Sequence, residues 1–169
     1  MAAGATYEPI ATTTLGSATS TFTFSSVSGS YTDLVLVISL KAATTNNPTL
    51  RLTFNGSATG YSGTQLYGTG STTGSNRTSS AAFIAIARAI GAPPTIGNTG
   101  TIIINLQNYS NTTTYKTVLA RADAADSGTE VDVGLWQNTS AITSITIDSP
   151  TTNDFAIGSM FTLYGISAA

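Results

Sequence analysis

Leu34-Val35-Leu36-Val37-Ile38-Ser39-Leu40 decides how the rest of this chain is read. Six of its seven residues are aliphatic and three are β-branched. The run is too short and too β-branched to favour a helix, and far too short to span a bilayer. Apolar residues on both faces are what a strand shows when both its sides are covered. Leu34–Leu40 is therefore expected to be a central strand with neighbours on both edges. The last apolar segment, Met160–Ile166, is expected to be one of those neighbours, pairing Thr162–Tyr164 with Val35–Val37.

Working outward, most other apolar segments alternate, as half-buried strands do. Tyr7–Ile10 is a short extended piece. Pro9 lacks an N–H and belongs at an edge or a strand start. Phe22 and Phe24 share one face of Thr19–Val27. Leu50, Leu52 and Phe54 share a face and end at Asn55-Gly56, a strong turn signal. A short strand is expected near Thr64–Tyr67, followed by an exposed loop over Gly68–Ser80. Ala81–Ala92 fits both a helical face and alternation, and the surrounding composition favours a strand. Pro93-Pro94 breaks it. Ile102, Ile104 and Leu106 face one way. In Glu130–Gln137 the expectation is Val131, Val133 and Leu135 inward, with Asp132 and Gly134 outward and Trp136 on that other face. Ile145 and Ile147 complete the pattern. About ten strands with frequent turn signals indicate an all-β fold, an antiparallel β-sandwich of jelly-roll type.

Composition agrees. The chain has 169 residues, enough for one domain with a real core. Charged residues make up 8% and hydrophobic residues 41%, which argues against disorder. The polar surface is carried by roughly thirty Thr and twenty Ser, residues that suit strands and turns better than helices. Net charge is −2 and the six cations are dispersed, so there is no electrostatic footprint for nucleic acid or for anionic membranes. Little self-repulsion leaves the surface permissive for packing against other copies. There is no Cys and no His, which excludes disulfides, a thiol nucleophile and a Ser-His-Asp triad. Met1–Thr6 has no basic start and no long apolar run, so synthesis in a cytoplasm without a signal peptide is expected.

Candidate sites are few. Asp132 and Asp148 are the carboxylates that could oppose each other as an acid–base pair, against the plainer reading of solvated surface groups. Asp123, Asp126, Glu130 and Asp132 form the densest acidic patch, but their spacing does not match a calcium loop; no metal and no cofactor are assigned. Gly68-Thr69-Gly70-Ser71 lacks the Lys of a phosphate loop. Tyr61, Tyr67, Tyr109 and Trp136 are possible glycan-stacking or interface aromatics, the plainer reading being core.

Six segments taken in order carry a resemblance: Tyr7–Leu15, Tyr31–Val37, Leu50–Asn55, Gly134-Leu135-Trp136, Ala141–Ile147 and Gly158–Ile166. Together they resemble small virion proteins of tailed bacteriophages, cyanophages among them. That group includes capsid decoration (cement) proteins and the terminal domains of tail fibres. The resemblance implies a jelly-roll β-sandwich without enzymatic activity, used as a homo-oligomer on a virus particle. It implies no catalytic residues. Because the chain enters its domain almost directly after Met1, a stand-alone decoration protein is expected: a homotrimer on the capsid surface, bound to the major capsid protein. Residues 1–15 would form an N-terminal docking segment, and residues 16–169 the sandwich. The alternative is a tail-fibre tip that recognises cell-surface carbohydrate.

Overall fold

The computed structural model describes residues 6–41, 49–87, 99–150 and 155–167. Twelve strands form among them, two more than expected: β1 (Tyr7–Thr14), β2 (Thr21–Phe24), β3 (Asp33–Lys41), β4 (Leu50–Phe54), β5 (Tyr61–Gly68), β6 (Thr73–Ala81), β7 (Ile84–Ile86), β8 (Thr99–Gln107), β9 (Lys116–Ala124), β10 (Gly128–Trp136), β11 (Ile145–Asp148) and β12 (Met160–Ile166). They build two antiparallel sheets. The large sheet runs β1-β12-β3-β8-β9-β10-β5-β6 and the small one β2-β11-β4-β7. The chain passes repeatedly between the sheets, giving a β-sandwich of jelly-roll type.

The opening stretch lies inside the large sheet, between β12 and β8. Val35 pairs with Tyr164, Leu36 with Leu163 and Val37 with Thr162, as the apolar pattern at the two chain positions predicts. Leu34, Leu36, Ile38 and Leu40 point into the sandwich and are fully buried. They share one hydrophobic core with Leu50, Leu52 and Phe54 of β4 and with Ile145 and Ile147 of β11. Each such side chain stabilises the fold by about 1.5–3 kcal/mol through burial. On the opposite face Val35 is also buried and Val37 half-buried.

β1 is an edge strand, and Pro9 sits at a bulge that shifts the register before Ala11. A residue without an N–H, beside a bulge, blunts that edge against pairing with other chains. Asn55 (φ 53°) and Gly56 (φ 67°) both take left-handed backbone, and the Ser57 N–H donates to the Phe54 carbonyl at 2.9 Å. The turn does not make a hairpin. It carries the chain from the small sheet to the large one, while the Asn55 side chain accepts from the Thr143 and Ser144 N–H groups.

One expectation for local structure is corrected, and one ambiguous segment is decided. The exposed loop over 68–80 is mostly strand: β6 pairs with β5 from Tyr61–Ala81 to Gly68–Thr73, leaving only a short turn between them. Its Gly-, Ser- and Thr-rich sequence hides a strand because an edge strand exposed on both faces shows no apolar alternation. In the ambiguous segment, Ile84–Ile86 is a strand, and residues 88–92 lie outside those described.

Gly165 shows why one strand position must stay small. A Cβ built there would lie 2.4 Å from the Tyr31 ring, which covers this end of the core. Gly165→Ala is expected to cost about 1–3 kcal/mol through overpacking, read as a lower denaturation midpoint. An unchanged midpoint would mean that Tyr31 swings away freely.

Candidate functional site

Two regions follow from the register of β10. The strand's actual orientation is the reverse of the expected one. Glu130, Asp132, Gly134 and Trp136 point inward, and Val131, Val133 and Leu135 point outward. The cause is the approach of β7. A Cβ on Gly134 would meet Ile84 at 2.6 Å, so only a glycine fits beneath that strand. Neighbouring β9 likewise turns Ala120 and Ala122 inward and Arg121 outward. The signal was present in Trp136, the sole Trp, which shares parity with Gly134, the position where β7 leaves no room for a side chain.

The inward region is a buried polar cluster. Gln65, Glu130 and Asp132 are 7%, 1% and 2% exposed. Gln65 Nε2 donates to Glu130 Oε1, and the Ala87 N–H donates to Asp132 Oδ2 at 3.2 Å. Asp132 Oδ1 has no hydrogen-bond partner among the described residues. Burial first, then a hydrogen bond shared with Glu130 and its charge, pushes the Asp132 pKa up to about 9. A buried acid that stays protonated at neutral pH resembles a general acid in kind. The geometry gives it no substrate. The cavity lined by Asp132, Gln65, Asn76 and Thr78 holds about 10 Å³, room for one water and not for a sugar ring.

The pairing of Asp132 with Asp148, weighed above against the plainer reading, does not occur. Asp148 lies on the small sheet and forms an ion pair with Arg51 at 3.7 Å. Nor is Asp132 the solvated surface carboxylate of the plainer reading. The patch from Asp123 to Asp132 is split by strand alternation, with Asp123 exposed and Glu130 and Asp132 buried. Among the described residues no three His, Cys, Asp or Glu side chains gather as a metal site.

The aromatic candidates are mostly core. Tyr61, Tyr109 and Trp136 are 0%, 0% and 1% exposed, which removes them as stacking surfaces for a glycan. Tyr61 and Trp136 stack on each other at 6.1 Å, and the Phe54 N–H donates to Tyr61 Oη at 2.9 Å. Tyr109 Oη donates to the Ser28 carbonyl. Tyr67 alone of the four is half-buried; its phenol lies against Gly74 of β6.

The outward region is the stronger site. Across the outer face of the large sheet the register aligns Val37, Ile103, Arg121, Val131 and Leu66 in one row. The adjacent row holds Val35, Asn105, Leu119, Val133 and Thr64. Leu66, Leu119, Val131 and Val133 are 59%, 47%, 40% and 52% exposed. A groove of about 610 Å³ opens beside Leu66 and Val131, and a second of about 120 Å³ beside Val133 and Leu135. Leu66, Leu119, Val131 and Val133 thus form an exposed apolar patch on this face, interrupted by Arg121 and Asn105.

No protein-family model matches the chain, and no curated protein matches it. Among solved structures, one of an alginate lyase mutant in complex with an alginate tetrasaccharide is similar over 82% of this chain and 72% of its own, at 10% identity and a TM-score of 0.27. A likeness that slight carries no inference about activity.

Proposed function

We propose that this protein is a non-enzymatic structural subunit of a tailed-bacteriophage virion. In this reading it is a capsid decoration protein that binds the major capsid protein as a self-associating homotrimer. The observation that supports an assembly role is the exposed apolar outer face of the large sheet, on a chain with few charges. The resemblance of the six ordered segments to small virion proteins supplies the particle. The physical role is mechanical: surface buried across neighbouring capsid subunits raises the free energy needed to separate them. β1 and the residues before it remain the proposed docking segment.

Copy number and position in purified particles test this reading. Many copies spread over the head are expected. A handful of copies confined to the tail would overturn it and favour the fibre-tip alternative, whose carbohydrate contact would then fall to exposed residues such as Tyr115 and not to Trp136.

A further inference from the structure

We infer that the outer face of β8, β9, β10 and β5 is where a second copy of this chain docks. This deepens the self-association part of the reading above and is independent of what the assembly binds.

Three observations carry it. The first is area. Four adjacent strands, β8, β9, β10 and β5, mostly nine residues long, present a face of about 30 Å by 19 Å at the usual strand rise and spacing. That is about 570 Å² in plan, so two copies would bury about 1,100 Å², above the roughly 1,000 Å² that a specific interface must clear. The second is the apolar alignment. Leu66, Leu119, Val131 and Val133 are exposed side by side, with half-buried Val37, Ile103 and Leu135 around them. The third is charge. Arg121 stands exposed in the apolar row, between Ile103 and Val131. Covering it with a purely apolar partner would strand a buried cation, so an occupant that places a carboxylate near it is favoured. This chain carries one on the same face, Asp123, two residues along β9 and exposed. A second copy therefore offers both apolar area and an anion complementary to the face. The free edge of the sheet fits less well: β6 is polar and has Arg77 at its middle.

The test uses the full chain in solution, without any capsid. Sedimentation velocity on the wild type at roughly 100 μM is expected to show an oligomer. Val133→Glu is expected to raise the dissociation constant by about a hundredfold or more, and Arg121→Asp by about tenfold or more. Both side chains are exposed, so melts taken at a concentration low enough for every protein to be monomeric should match and separate lost assembly from lost folding. A wild-type monomer overturns self-association altogether. A wild-type oligomer that Val133→Glu leaves intact overturns this face while leaving self-association standing. Neither result bears on copy number in particles, so the capsid reading stands or falls separately.

Discussion

Trp136→Ala is expected to remove about 3–5 kcal/mol of stability, a large share of the total for a domain of this size. The indole is 1% exposed and lies between the two sheets at the end of β10. It stacks on Tyr61 with an interplanar angle of 15° and meets Phe54 of the small sheet at 5.6 Å. Alanine would leave a cavity that the two remaining rigid rings, Tyr61 and Phe54, cannot collapse to fill. Trp136→Phe keeps most of the apolar contact and removes an indole N–H that has no hydrogen-bond partner among the described residues, so it should cost only about 1.5 kcal/mol or less. Denaturant unfolding of both variants at constant slope checks the pair. A Trp136→Ala protein within about 1 kcal/mol of wild type would show that the cluster is not packed as described. The same burial means that loss of any binding activity in Trp136→Ala would report unfolding, not a lost contact.

Asp132→Asn is expected to act in the opposite direction, and only above acidic pH. The folded-state pKa of Asp132, about 9, is raised from its ordinary 3.8. Between those values the folded protein holds a proton that the unfolded chain releases. Stability therefore falls as pH rises, by up to about 1.4 kcal/mol per unit, and this contribution is fully present only below about pH 4. Asparagine keeps the shape, accepts from the Ala87 N–H and can donate toward Glu130, but has no proton to lose. Asp132→Asn should match wild type near pH 4 and exceed it by about 2–4 kcal/mol at pH 8. The figure is below the full linkage because the two neighbouring carboxyls act on each other. Unfolding curves at the two pH values decide it. Equal stability of the variant and wild type at pH 8 would mean that the Asp132 carboxylate is already compensated in the fold.

Much of the fold was legible because burial imposes a period on strands. Leu34–Leu40 was readable as a central strand from its two apolar faces, and β12 as its neighbour from the apolar pattern of Met160–Ile166. Pro9 marked an edge because it lacks an N–H, and Asn55-Gly56 a turn because both residues readily take left-handed backbone. The site was less legible, and β10 shows why. Alternation places Val131, Val133 and Leu135 together on one face, but it does not say which face is covered. That depended on β7, whose Ile84 needs the space at Gly134. The inverted strand turned a supposed surface carboxylate into a buried acid, and turned supposed core residues into an exposed apolar row. β6 escaped notice for a related reason: an edge strand exposed on both faces has no apolar pattern to read.

The amino-acid sequence by itself determined the class of fold, the central strand and its partner, and the absence of any thiol or imidazole chemistry, because each follows from residue type and local periodicity. Only the tertiary structure decided which side of β10 faces the core, which aromatics are sealed, and where apolar surface remains open. Those outcomes depend on which strand packs over which, a relation between residues far apart in the chain that no local pattern encodes.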